Sequence, residues 1–189
     1  YDLSLGANDI ADLSPLSGAV HLQRLNLYGN RITNLSALQS MRALSWFAAN
    51  ENQVIDLSPL AGLSSLETLL LSQNAIYDVS PIASSTMLVR LDLSSNYITD
   101  ISPLSAFTRL ETLDLSANVR LSDVSALCAL PRLQTLGLAY LESCDYTPVL
   151  SIPALRSVTF CSPQVIQNGD DLALVIEQLR QNNVQVICQ

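Results

Sequence analysis

The sequence predicts an α/β solenoid: a right-handed coil with a curved parallel β-sheet on its concave face, short 3₁₀ or helical turns on its convex face, and a helix-strand cap at its C-terminal end. Three observations carry that prediction. Asn8, Asn30, Asn52, Asn74, Asn96 and Asn118 stand at successive differences of 22 in a chain of 189 residues, and self-similarity at a fixed period of about 20–50 residues marks a stack of structural repeats. Before each Asn, two apolar residues alternate with variable ones, as in Leu25 and Leu27, Leu69 and Leu71, Leu91 and Leu93, and Leu113 and Leu115. A period of two describes a short strand with one buried face. After each Asn, Asp-Leu-Ser-Pro-Leu (12–16 and 56–60) or a variant of it (78–82 and 100–104) supplies turn chemistry at the same spacing.

A strand this short cannot bury its leucines alone. Stacked copies about 4.8 Å apart can, because the leucines then form one continuous core. The Asn stands where the chain turns inward, and its amide is expected to bond backbone groups of its own turn and of the next coil. Without it, buried turn amides would go unpaired at about 1–3 kcal/mol each. Ser before Pro suits the start of a single helical turn, where the missing N–H of Pro costs nothing.

Reduced to the residues that recur, residues 88–104 read L-x-x-L-x-L-x-x-N-x-I-x-D-I-S-P-L. This unit resembles the leucine-rich repeat. Its N-x-I-x-D-[LIV]-S-P-[LI] tail is similar to the 22-residue class found in bacterial internalins and, less closely, in eukaryotic phosphatase-regulatory repeat proteins. The resemblance covers about residues 1–163 and implies a leucine-rich repeat solenoid serving as a non-catalytic protein–protein interaction domain, bacterial and exported or host-directed. The alternative it implies is an intracellular scaffold or regulatory subunit.

Eight coils are expected in 1–163 and a cap in 164–189. Coil one (Leu3, Leu5, Asn8, Ile10) opens directly on its strand, so a cap or further repeats are expected ahead of it. Coils two, four and five are regular, and coil three replaces both strand leucines with Phe47 and Ala49. Coil six carries one extra residue between Asn118 and Asp123, expected to bulge the convex turn and leave the strand alone. Coil seven has Leu141 where Asn belongs, and coil eight lacks the Asn as well. Asp170 or Asp171 is expected to cap a helix over about 170–181, with Leu172, Val175, Ile176 and Leu179 at i, i+3, i+4 and i+7. One more strand is expected over about 184–188.

A net charge of −8 argues against nucleic acid and anionic membrane surfaces, which bind through positive charge. Mean hydropathy is +0.30, yet no apolar run approaches the ~18–20 residues of a spanning helix. The single histidine, His21, sits between coils, the six glycines form no phosphate-binding loop, and the repeated Asp residues follow the turns. No catalytic set, metal site or cofactor is expected. Cys128, Cys144, Cys161 and Cys188 match no metal-ligand spacing; free thiols and three disulfide connectivities all remain open. Cys161 on strand eight beside the strand ending in Cys188 is the pair singled out.

Structural duty leaves free the residues six, four and two places before each Asn, which should line the concave face. From these the expected protein-binding set is Arg24, Asn26, Tyr28, Trp46, Asn50, Leu70, Arg90, Asp92 and Asp114. Trp, Tyr and Arg are the types enriched at binding hot spots, and Tyr28, Trp46 and Leu70 are expected within about 5–10 Å of one another.

Overall fold

The computed structural model describes residues 1–142, 144–160 and 171–188. Nine strands follow one another in a single parallel sheet, in chain order: β1 (Asp2–Ser4), β2 (Arg24–Asn26), β3 (Trp46–Ala48), β4 (Thr68–Leu70), β5 (Arg90–Asp92), β6 (Thr112–Asp114), β7 (Thr135–Gly137), β8 (Ser157–Phe160) and β9 (Gln185–Cys188). Short 3₁₀ turns, from Ser14–Leu16 to Thr147–Ser151, return the chain along the opposite side of each coil. The middle residues of the strands pair in register, Leu25 with Phe47, Leu69 with Leu91, and Leu113 with Leu136, and all are buried in the space between sheet and turns. Each coil adds a similar layer, including Ile32, Val54, Ile76 and Ile98 after the Asn and Leu38, Leu60, Ile82 and Leu104 on the convex turns. One layer is odd: Ser85 takes the place held by Met41, Leu63, Phe107 and Leu130 in other coils, and its hydroxyl is buried without a partner.

The asparagines bond backward along the stack, correcting the expected direction. The Nδ2 of Asn30, Asn52, Asn74, Asn96 and Asn118 donates to the carbonyl 25 residues earlier, at 2.9–3.0 Å. The Oδ1 of the same residues accepts the N–H 20 residues earlier, from Ile10, Ile32, Val54, Ile76 and Ile98, at 2.9–3.0 Å. The amide also donates within its own turn, as from Asn74 to Leu71 and Ser72 carbonyls. Each of these side chains therefore ties its coil to the preceding one, through buried groups from Asn52 onward and through part-buried ones at Asn30. Asn8 is exposed and bonds only Leu5 and Gly6 of its own coil.

The convex turns are capped by the Asp and not by the Ser. Residue 13, between them, has φ −98° and ψ 1° and begins the 3₁₀ turn without a side-chain cap of its own. The Asp12 carboxylate instead accepts the Ser14 N–H at 2.8 Å, and Asp56, Asp78, Asp100 and Asp123 do the same for the Ser two residues on, at 2.7–2.8 Å. In coil two the acceptor is Asn34, at 2.8 Å from the Ser36 N–H. Hydrogen bonds to the charged form lower a carboxyl pKa. The serine N–H holds the Asp12, Asp100 and Asp123 carboxyls below the usual aspartate range, and the Ser58 hydroxyl, then its N–H, does so for Asp56.

The residue before each Asn turns through the left-handed region. Ala7, Glu51, Gln73, Ser95 and Ala117 have φ between 54° and 58°, and Gly29 has φ 62°. A glycine occupies this place only in coil two, so the other coils carry the steric cost of a Cβ there.

The extra residue of coil six lies in the turn directly after Asn118, where the Leu121 N–H donates to the Asn118 carbonyl at 2.8 Å. This corrects its expected place on the convex turn; the neighbouring strands stay paired, Thr112 with Thr135 and Asp114 with Gly137. In coil seven Leu141 is buried at the missing Asn, and the contact between coils passes to the backbone, from Glu142 N–H to the Val119 carbonyl at 3.3 Å and from Asp145 N–H to the Ser122 carbonyl at 3.1 Å. Tyr146 meets Phe160 edge to face, with ring centroids 5.2 Å apart. Helix α1 (Asp171–Gln181) then lays Val175, Ile176 and Leu179 on the core, and β9 pairs with β8 to extend the sheet. Asp170, the other expected helix cap, and the expected boundary at 163–164 lie outside the described residues.

Two outcomes follow. Ser95→Gly, at a position whose side chain bonds nothing, raises the urea midpoint by the equivalent of about 0.5–1 kcal/mol; an unchanged or lower midpoint contradicts the strain. The second concerns pH. Ordinary aspartates of the unfolded chain take up protons first as the pH falls below about 4. The stabilisation from the Asp–Ser turns is therefore complete above that value and is lost progressively as the pH falls toward the depressed folded-state pKa values. The urea midpoint should drop between pH 5 and pH 3; a constant midpoint contradicts the assignment.

Candidate functional site: the concave sheet

Because successive side chains of a strand point to opposite faces, burying the middle residue of each three-residue strand turns its two outer residues to the concave side. The register arranges these in columns. Asp2, Arg24, Trp46, Thr68, Arg90 and Thr112 form one, Ser4, Asn26, Ala48, Leu70, Asp92 and Asp114 the next. Gly6, Tyr28, Asn50, Ser72, Ser94 and Ser116, each two places beyond the second column, form a third.

Trp46 is half-buried and contributes nothing to the interior cluster. The guanidinium of Arg24, its partner in the adjacent strand, lies 4.7 Å from the indole centroid. That is cation–π geometry, and it leaves the ring partly exposed. Leu70 stands one strand and two positions away from Trp46, and Ala48 between them is buried. Tyr28 is 41% exposed but sits four positions along the strand direction from Trp46. At about 3.3 Å per residue and 4.8 Å per strand the two backbones are roughly 14 Å apart, so the compact trio expected from the sequence is a Trp46–Leu70 pair with Tyr28 at a distance. Arg90, exposed, flanks the pair from β5.

The polar candidates are partly engaged. The Asn26 Oδ1 accepts the Tyr28 N–H at 3.0 Å, and the Asn50 Oδ1 accepts the Ser72 N–H of the next coil at 3.0 Å. Asp92 accepts from the Ser94 N–H at 3.0 Å and hydroxyl at 2.7 Å, and Asp114 from the Ser116 N–H at 2.9 Å. These four residues satisfy backbone amides where the strands end, and each carboxylate keeps an oxygen for a ligand. Asp92 and Asp114 are directly paired across β5 and β6. Gly137, the concave position of β7 beside them, has a role that its small size alone did not reveal: the Asp114 carboxylate and Ser116 hydroxyl lean into the space a Cβ would fill there. Any larger residue at 137 would have to displace that carboxylate and hydroxyl.

No cluster of three or more His, Cys, Asp or Glu residues able to hold a metal occurs among the described residues. Cys128, Cys144 and Cys188 are free thiols, and burial first, then the Asp145 and Asp123 charges, pushes the Cys144 thiol up to about 12. Cys161, the expected partner of Cys188, lies outside the described residues.

Residues 64–106 and 86–129 match the family described as Leucine Rich repeats (2 copies), and residues 21–41 match Leucine Rich Repeat. Among solved structures, an internalin (inlF) of Listeria monocytogenes is 29% identical with a TM-score of 0.84, over 98% of this chain and 52% of its own. Internalin C2 (inlC2) of the same organism is 28% identical with a TM-score of 0.68, over 84% of this chain and 80% of its own. A leucine-rich repeat protein of Leptospira interrogans, 18% identical with a TM-score of 0.76 over 98% of this chain and 54% of its own, shares the fold. The chain thus spans about half the length (52%) of the first of these internalins. A comparison with curated proteins finds no match. The fold and the repeat together define a leucine-rich repeat protein. Within that class the chain is internalin-like, with coils of 22 residues. Proteins of this fold are in general interaction scaffolds without catalysis, and no described helix is long and apolar enough to cross a membrane.

Proposed function

We propose that the chain binds a protein partner on its concave face, chiefly through the N-terminal half of the sheet, and that it acts as an exported or host-directed bacterial recognition domain. The observation that carries this reading is Trp46, the single Trp of the chain, held outside the core by a stacked Arg24 on a rigid sheet. A large aromatic already fixed in place loses little entropy on binding, and Trp and Arg are the types that dominate interface energetics. Leu70 extends the apolar contact, while Arg90, Asp92 and Asp114 supply charges of both signs for register. Likeness to internalins supports the exported and host-directed part. The second reading, an intracellular scaffold or regulatory subunit, is favoured by the free thiols at Cys128, Cys144 and Cys188.

Affinity capture from host-cell extract with the wild type and with Trp46→Ala/Tyr28→Ala tests the first reading. The partner held by the wild type should be lost, and in titration Trp46→Ala alone should weaken it by about 30-fold, the scale of a hot-spot residue. The thermal midpoint should be unchanged, because neither ring fills the interior. Equal capture by both chains overturns the assignment.

A further inference from the structure

Between the Asn ladder and the convex turns each coil presents a flank, which is distinct from the concave face. In coils one and two this flank is polar and self-paired, with the Arg31 guanidinium 2.7 Å from the Asp9 carboxylate. Its character changes in coils three to five. Ile55 and Tyr77, each third after its Asn, occupy the same place in successive coils and are 49% and 63% exposed. Tyr97, first after its Asn, is 64% exposed, and its N–H donates to the Ile76 carbonyl at 2.8 Å, which seats it beside Tyr77. The interior does not need these rings: Val54, Ile76 and Ile98 fill it from the neighbouring positions. Directly after Ile55 and Tyr77 come the exposed carboxylates Asp56 and Asp78, and Asp100, three residues after Tyr97, holds the same place in coil five; their partners are the turn serines. No basic side chain pairs with them among the described residues.

We propose that this flank is a second docking surface, independent of the concave face, and that it takes a basic, aromatic-containing segment of a partner protein. The patch selects its partner by charge. Exposed tyrosines rimmed by carboxylates repel nucleic acid, anionic lipid and a second copy of a chain carrying −8, whereas guanidinium groups can pair with the carboxylates and stack on the rings at once. The stretch ends where the chain's own cations begin, at Arg31 in coil two and Arg120 in coil six.

The coils themselves supply the control. Asn34 performs the turn bond of its Asp counterparts at 2.8 Å, so Asp56→Asn/Asp78→Asn/Asp100→Asn removes charge while keeping the turns. The probe is a fluorescein-labelled peptide of alternating arginine and tryptophan, with its glutamate counterpart, titrated against the full chain by anisotropy. The basic peptide should bind at least about tenfold more tightly than the acidic one. The triple Asn variant and Tyr77→Ser/Tyr97→Ser should each weaken it by at least about tenfold, with unchanged circular dichroism, while Trp46→Ala should leave it within about twofold. Equal binding of the two peptides overturns the proposal. So does a loss caused by Trp46→Ala with the flank variants intact, which would move the peptide to the concave face. Dimers in sedimentation that vanish in the tyrosine variant would assign the flank to a second copy instead.

Discussion

The structure depends on one hydrogen-bonding arrangement repeated five times. An asparagine amide has two donors and an acceptor oxygen, and at Asn30, Asn52, Asn74, Asn96 and Asn118 the donors and one acceptor position are spent on backbone groups that the turn would otherwise bury unpaired. Because both ends of the amide reach the preceding coil, the spacing between coils is set by covalent geometry and not by side-chain packing alone. The leucine layers supply the larger hydrophobic stabilisation, but that force is non-directional. The register of the sheet comes from the amides. Where the ladder stops, at Leu141, the sheet continues on inter-coil backbone bonds and on the Tyr146–Phe160 contact.

Such an interior frees the outside. Once core and turn residues are committed, two surfaces carry side chains that the interior does not bury: the concave sheet and the flank beyond the ladder, both with polar groups partly engaged by backbone amides. They differ in kind. Arg24, Trp46, Leu70, Arg90, Asp92 and Asp114 give the concave sheet an apolar patch with both signs of charge. On the flank, aromatic rings alternate with carboxylates. A solenoid can carry two such surfaces without conflict, since a substitution on either leaves the layers of the core unchanged. The flank takes its carboxylates from the turns, so there the same group closes a 3₁₀ turn and presents charge.

Period and composition made most of the fold legible. The strands, the convex turns, the helix over 171–181 and the final strand all follow from where apolar residues recur. The direction of the asparagine bonds was not legible, because a regular repeat looks the same from the coil before and the coil after. Ser and Asp are both capping residues two positions apart, and only the hydrogen bonds of the folded turn show that Asp accepts from the Ser N–H. At the candidate site, the columns could be read from the sequence, but Tyr28 and Trp46 stand in different columns, four positions apart along the strand direction, which spreads them farther than strand neighbours. Asn26, Asn50, Asp92 and Asp114 looked free and are half engaged: Asn26, Asp92 and Asp114 each meet the strand-end amide two residues on, and Asn50 meets the Ser72 amide of the next coil. Tyr77 and Tyr97 were passed over because their neighbours in sequence are turn residues.

The most direct measurement is urea unfolding of Asn74→Ala beside Asn8→Ala. Both remove the same amide, but Asn74 joins two coils through buried groups, while Asn8 is exposed and bonds only its own turn. Leaving the Val54 N–H and its companion carbonyls buried and unpaired should cost at least about 2 kcal/mol in the first variant, against less than about 0.5 kcal/mol in the second, a surface change. Equal losses in the two would show that leucine packing alone sets the stack and would contradict the account.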